Sequence, residues 1–70
     1  MTIATLTNEQ AAQAFQNARP NLARAIESIA RKGGTPLAAW RLTLWYTGST
    51  RLARYAEMAC KHFQEARDVS

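Results

Sequence analysis

Residues 31–50 read RKGGTPLAAWRLTLWYTGST and contain clear signals for the end of one helix and the start of another. Gly33 and Gly34 are typical of a helix C-terminus, because glycine adopts a left-handed backbone there without steric cost. Thr35 and Pro36 then predict a new helix. Thr35 serves as its N-cap, and Pro36 occupies the first helical position, where the missing amide proton is harmless.

The helix predicted over residues 36–46 is apolar nearly all the way round, since only Arg41 and Thr43 are plainly polar. A helix of this kind lies either at the centre of a core or in an interface. Residues 40–44 also alternate with a period of two, as do residues 2–7, so that a strand pairing is an alternative. The Thr-Pro start favours the helix.

The flanking sequence supplies further helices. Thr7 and Gln10 have the spacing of a capping box, which predicts a helix from about residue 8. Pro20 interrupts the apolar pattern that follows, because proline lacks an amide proton and clashes with the preceding turn. We therefore expect an all-α fold, a small bundle of three to four helices over about 8–18, 20–32, 36–46 and 50–67. The first two are either separate or one helix kinked at Pro20.

The chain has 70 residues and a mass of 7.8 kDa, which is enough for one small domain, residues 1–70, with residues 1–6 as a flexible N-terminal arm. Hydrophobic residues make up 47% of it, but 14 of them are alanine, so that the core is modest. Small domains of this kind need very regular helix packing or a partner subunit. We therefore expect a homodimer.

Catalytic chemistry is poorly represented. The single cysteine, Cys60, excludes an internal disulfide, and Cys60 and His62 cannot supply the four ligands of a structural zinc site. On a helix these two residues point about 200° apart, which excludes a nucleophile–base pair. We predict that the chain is not an enzyme and that it has no catalytic residue, no metal and no cofactor.

The N-terminus lacks the basic and apolar regions of a signal peptide. The longest apolar stretch, residues 37–46, contains Arg41 and falls short of the roughly 20 residues of a membrane span. An unpaired thiol is typical of a reducing compartment. These features predict a cytoplasmic protein without a membrane partner.

Positive charge is concentrated in the middle of the chain. The net charge is +4, and residues 19–54 alone carry +6, because Glu27 is their only acid. Most of these cations are arginines, whose planar guanidinium suits phosphate or carboxylate groups. The segment predicts an electropositive face for an acidic protein or a nucleic acid.

Residues 29–40 resemble a helix-turn-helix motif, with Ala30 four residues before Gly34 and Trp40 six residues after it. The resemblance implies DNA binding, with phosphate contacts from Arg24, Arg31, Lys32 and Arg41. Gly33 and Thr35, however, occupy positions that are usually apolar in this motif. The second helix also offers leucine, alanine and tryptophan in place of residues that read bases.

A second surface is indicated by aromatic and arginine residues between positions 40 and 55. Tryptophan, tyrosine and arginine are enriched where protein interfaces concentrate their binding energy. The predicted partner-binding residues are Arg41, Trp45, Tyr46, Arg51, Arg54 and Tyr55, whereas Trp40 is expected to lie in the core with Phe15. We therefore predict a small non-enzymatic regulator or inhibitor that occupies a macromolecular partner. A protein is favoured as that partner, and a DNA-binding transcriptional regulator is the alternative.

Overall fold

The computed structural model describes residues 6–69, with side chains described as far as residue 66. Four helices account for nearly all of this range: α1 (Asn8–Ala18), α2 (Pro20–Arg31), α3 (Pro36–Thr47) and α4 (Thr50–Val69). The predicted all-α bundle is confirmed. The strand alternative for residues 40–44 is wrong, because these residues lie inside α3. The expected flexible arm falls outside the described residues except for Leu6.

The break between the first two helices follows from the backbone at Arg19 and Pro20. The Arg19 N–H donates to the Phe15 carbonyl oxygen at 2.8 Å, which closes α1. Arg19 itself leaves the helical region, with φ −140° and ψ 73°. Pro20 then occupies the start of α2, where its missing N–H is no loss. The two segments are therefore separate helices and not one kinked helix.

A Schellman motif ends α2 at the glycine pair. The Gly34 N–H donates to the Ile29 carbonyl at 2.8 Å, and the Gly33 N–H donates to the Ala30 carbonyl at 3.2 Å. Gly33 has a φ of 84°, in the region that favours glycine. Gln64 of α4 donates from Nε2 to the Gly34 carbonyl oxygen, so that the turn is also held by the last helix.

Helix α4 is the centre of the bundle, because it packs against each of the other three helices. Within the described range, α1 and α3 do not contact each other. The shortest extent of the molecule is 19 Å, which corresponds to about two layers of helices. A two-layer bundle leaves every helix with one side towards solvent, and this matters most for the apolar α3.

The core is built mainly from alanine. Phe15 and Ile26 are the largest apolar side chains that are completely buried. Cys60 is buried beside them, and the remaining core positions are Ala11, Ala12, Ala23, Ala30, Ala39, Ala53, Ala56 and Ala59. Small side chains let helices approach closely but bury little apolar area each. The core therefore leaves most of the large side chains partly exposed.

Trp40 does not take the core position that was predicted for it. The residue is half-buried and lies outside the cluster of buried residues. Ala39 and Thr43 are the residues of α3 that are fully buried, which turns Trp40 to the flank of the helix. Because the core side chains are mostly alanine, the helices pack close together, and the core has no space for an indole ring.

Candidate functional site

The outer side of α3 presents a line of exposed residues. Thr35 caps this helix by accepting a hydrogen bond from the Ala38 N–H at 3.1 Å, and Gly48 ends it with a φ of 67°. Between these ends, Leu37, Arg41 and Trp45 follow one another at intervals of four residues and are all exposed. Residues four apart lie on one face of a helix. We call Leu37, Arg41 and Trp45, together with Tyr46, the α3 ridge.

The two aromatic residues of the α3 ridge are the most exposed part of it. Trp45 is 80% exposed and Tyr46 is 61% exposed, and Leu37 follows at 54%. The Trp45 and Tyr46 rings meet edge to face, with centroids 5.0 Å apart and an interplanar angle of 84°. This contact restrains both rings where they stand, so that less side-chain entropy would be lost on binding.

Tyr46 also borders a shallow groove on the α2 side of the ridge. The groove has a volume of about 270 Å³ and is lined by Tyr46, by Arg19 between α1 and α2, and by Asn21, Leu22 and Ala25 in the first half of α2. Leu22 and Ala25 are half-buried, and they give the groove an apolar floor. The exposed aromatic surface therefore continues into a concave region.

On the α4 side, a larger open cleft of about 630 Å³ adjoins α3. Its lining combines aromatic, cationic and polar side chains: Trp40, Thr50, Arg51, Arg54, Tyr55 and Glu57. Ser49 caps α4 by accepting from the Leu52 N–H at 3.2 Å, which fixes the helix start at this position. The sequence placed Arg51, Arg54 and Tyr55 in one binding surface, and the structure brings these three residues into one cleft.

The predicted partner-binding residues thus occupy two adjoining places. Arg41, Trp45 and Tyr46 stand on the α3 ridge, whereas Arg51, Arg54 and Tyr55 line the cleft. The predicted partner-binding residues did not include Leu37 of the ridge or Trp40 of the cleft, since Trp40 was expected in the core. The interval of four residues linking Leu37, Arg41 and Trp45 was the signal available for the first of these.

The charge around this surface is mainly positive. No carboxylate occurs between Glu27 and Glu57 in the sequence, a range that includes all of α3. Arg41, Arg51 and Arg54 are exposed within it. The α3 ridge therefore carries Arg41 without a carboxylate on its own helix, and the cleft combines Arg51 and Arg54 with one carboxylate, that of Glu57.

The residues predicted for nucleic-acid binding are less well assembled. Arg24, Arg31, Lys32 and Arg41 are all exposed. Arg31, however, forms an ion pair with Glu27 at 2.8 Å, which engages one of the four. The outer face of α3 offers Leu37, Ala38 and Trp45 beside Arg41, and the apolar ones cannot form the bidentate hydrogen bonds to base edges that distinguish most bases.

Cys60 and His62 are not among the residues that line the cleft or the groove. Cys60 is buried in the core, and burial raises the pKa of its thiol, so that the thiol stays protonated. The His62 ring lies beside the Phe63 ring at a centroid distance of 5.7 Å. In residues 6–66 no group of three or more His, Cys, Asp or Glu side chains is placed to hold a metal ion.

Comparison with protein-family models, with curated protein sequences and with solved structures finds no match for this chain. None of the helices within residues 6–69 has the length and apolar character needed to cross a lipid bilayer.

Proposed function

We propose that this chain is a non-enzymatic binding protein, a small cytoplasmic regulator or inhibitor that acts by occupying a protein partner. Its contact surface is the α3 ridge together with the cleft beside it. We infer binding rather than catalysis because the α3 ridge and the cleft offer large aromatic area and arginine side chains and contain neither cysteine nor histidine.

The exposure of Trp45 is the observation that carries this proposal. Trp45 is 80% exposed on a helix whose opposite side already contacts the core through Ala39 and Thr43. Folding therefore gains little from a tryptophan at this position, while its exposed apolar surface favours association. Tryptophan, tyrosine and arginine on one surface are the residue types that dominate protein interfaces.

DNA binding remains the alternative, and it receives support from the exposed Arg24 on α2 and the exposed Lys32 at the turn between α2 and α3. It is less favoured because apolar side chains occupy the outer face of α3. Phosphate contacts alone would give binding that is independent of sequence and steeply dependent on salt.

We also propose that the chain forms a homodimer, because a core made mostly of alanine buries little apolar area per residue. A symmetric pairing of two α3 ridges is unfavourable, since Arg41 stands at the middle of the line and would face its own copy. The dimer contact is therefore expected elsewhere, which leaves the α3 ridge free. A sedimentation mass equal to the 7.8 kDa of one chain at tens of micromolar would remove the dimer from this proposal.

Capture from an extract of the source cells tests the proposal. The immobilised protein is compared with the Trp45→Ala variant and with Lys61→Ala, a control at an exposed position on α4. We expect the unaltered chain and Lys61→Ala to capture a protein from the extract that Trp45→Ala does not capture. Equal capture by all three proteins would contradict a role for the α3 ridge.

Fluorescence anisotropy with a labelled random-sequence DNA duplex distinguishes the alternative. We expect no binding at physiological salt. Binding that weakens steeply with salt, and that weakens further when Arg24 or Lys32 is replaced by glutamine, would favour the DNA-binding function.

A further inference from the structure

The cleft beside α3 contains two arginines on one side of a helix. Arg51 and Arg54 are three residues apart near the start of α4, and both line the cleft together with Trp40 of α3. Residues three apart are neighbours on a helix surface. The two guanidinium groups are therefore presented to the same volume, with aromatic rings from Trp40 and Tyr55 beside them.

The start of α4 is an unfavourable position for these two cations. The ion pair found within residues 6–66 joins Arg31 to Glu27, and neither Arg51 nor Arg54 takes part in it. Both lie near the N-terminus of α4, where the helix dipole disfavours cations, and like charges three residues apart repel each other. The first turn of α4 has no acidic residue that would offset this arrangement. A local cost of this kind is expected where a binding function requires the charges.

We propose that the cleft binds carboxylate groups of an acidic protein segment, with an apolar residue of that segment placed against Trp40 and Tyr55. A guanidinium group binds a carboxylate through two parallel N–H···O hydrogen bonds. The half-buried aromatic rings supply apolar contact area beside the charges. This inference rests on the proposed function, since it names the chemistry of the partner that the same surface would accept.

Glu57 favours a peptide over a nucleic acid as the occupant. Its carboxylate lines the same cleft as Arg51 and Arg54. The closely spaced phosphates of a nucleic-acid strand would bring negative charge against it. A peptide presents its carboxylates singly and also carries backbone N–H groups, which can donate hydrogen bonds to the Glu57 carboxylate.

The test uses a fluorescent peptide with several glutamates around a central leucine, and the same peptide with glutamine at every glutamate. The double variant Arg51→Gln/Arg54→Gln is compared with Arg24→Gln/Lys61→Gln, which removes the same charge from exposed positions outside the cleft. At about 0.15 M salt we expect the cleft variant to raise the Kd of the glutamate peptide about tenfold and the control variant to change it little.

Three results would overturn the inference: equal binding of the glutamine peptide, an equal loss in both double variants, or displacement by a DNA oligonucleotide at lower concentration than by the glutamate peptide. The second result would mean that net charge, and not the cleft, attracts the peptide. The third would assign the cleft to phosphate groups.

A measurement on the unaltered protein covers the case in which the double variant fails to fold. The chain has two tryptophans, so that its NMR spectrum contains two indole N–H signals. The Trp45→Phe variant lacks the Trp45 signal and thereby assigns both. We expect the glutamate peptide to shift the Trp40 signal more than the Trp45 signal. A shift confined to the Trp45 signal would contradict peptide binding in the cleft and would leave the α3 ridge as a binding surface. A shift of the Trp40 signal, combined with unchanged partner capture by Trp45→Ala, would support the cleft and contradict the role of the α3 ridge.

Discussion

Trp45 and Tyr46 contact each other edge to face, with ring centroids 5.0 Å apart, and both side chains are exposed. The contact orders two large side chains that the rest of the bundle leaves exposed. Because the neighbouring Arg41 is exposed as well, the outer side of α3 combines aromatic area with positive charge. This combination supports a binding role for a helix that contributes only two fully buried residues to the fold.

The first prediction concerns the separation of stability from binding. Trp45→Ala should change the free energy of unfolding by less than about 0.5 kcal/mol, because the side chain is 80% exposed. Phe15→Ala should lower it by about 3–5 kcal/mol, because Phe15 is completely buried. Urea unfolding followed by circular dichroism measures both values. A large loss for Trp45→Ala would mean that the indole supports the fold.

A second prediction arises from Thr43, which is completely buried and whose hydroxyl oxygen has no hydrogen-bond partner. Thr43→Val replaces this hydroxyl with a methyl group of similar size and should raise the free energy of unfolding by about 1 kcal/mol. Thr43→Ser keeps the hydroxyl but loses the methyl group, and it should be less stable than the unaltered protein. Thermal unfolding of the three proteins provides the measurement, and a lower melting temperature for Thr43→Val would show that the hydroxyl is satisfied in solution.

The third prediction concerns the turn between α2 and α3. A Cβ atom at Gly34 would overlap the Ile29 Cγ2 atom and lie 2.9 Å from the Ile29 carbonyl oxygen. Gly34→Ala should therefore lower the free energy of unfolding by about 1–3 kcal/mol. Gly33→Asn is the matched control, because its Cβ meets no atom within 4 Å and asparagine tolerates a positive φ. Chemical denaturation should show a much smaller loss for this control, and equal losses would contradict the close packing at Gly34.

The fourth prediction concerns the thiol of Cys60. Burial raises its pKa, so that the folded state keeps the thiol protonated at a pH where the unfolded chain ionises it. The thiol's contribution to stability is thus complete below the ordinary thiol pKa of about 8.5 and is lost as the pH rises through the raised value. Reaction with a thiol reagent should be slow in the folded protein and fast in denaturant. Equally fast reaction in both states would contradict the burial.

Much of the fold could be predicted from capping residues and helix breakers. Thr7 with Gln10, Pro20, the pair Gly33-Gly34 and Thr35 with Pro36 fix helix ends through local hydrogen bonds and backbone restrictions, which depend on sequence neighbours alone. The predicted and observed bounds of the first three helices agree to within one residue for this reason. The last helix extends to Val69, beyond its predicted end near residue 67, because no helix breaker marks its end.

The position of Trp40 could not be predicted in the same way. Its spacing from Leu37 and Leu44 fits a core face, but the core side of α3 is occupied by Ala39 and Thr43. The face of an apolar helix that turns inward depends on how closely the neighbouring helices approach. In this bundle, alanines on several helices set that distance. The division of the predicted binding residues between the α3 ridge and the cleft has the same origin, since it depends on how α3 and α4 pair.

Site-specific photocrosslinking in the source cells tests the role of the α3 ridge most directly. A photoreactive amino acid replaces Trp45 in one protein and Arg24, an exposed residue of α2, in another. If the α3 ridge is the contact surface, position 45 gives a defined protein adduct that excess unaltered chain suppresses and excess Trp45→Ala does not, and position 24 gives none. Identical adducts from both positions, or adducts to nucleic acid alone, would contradict it.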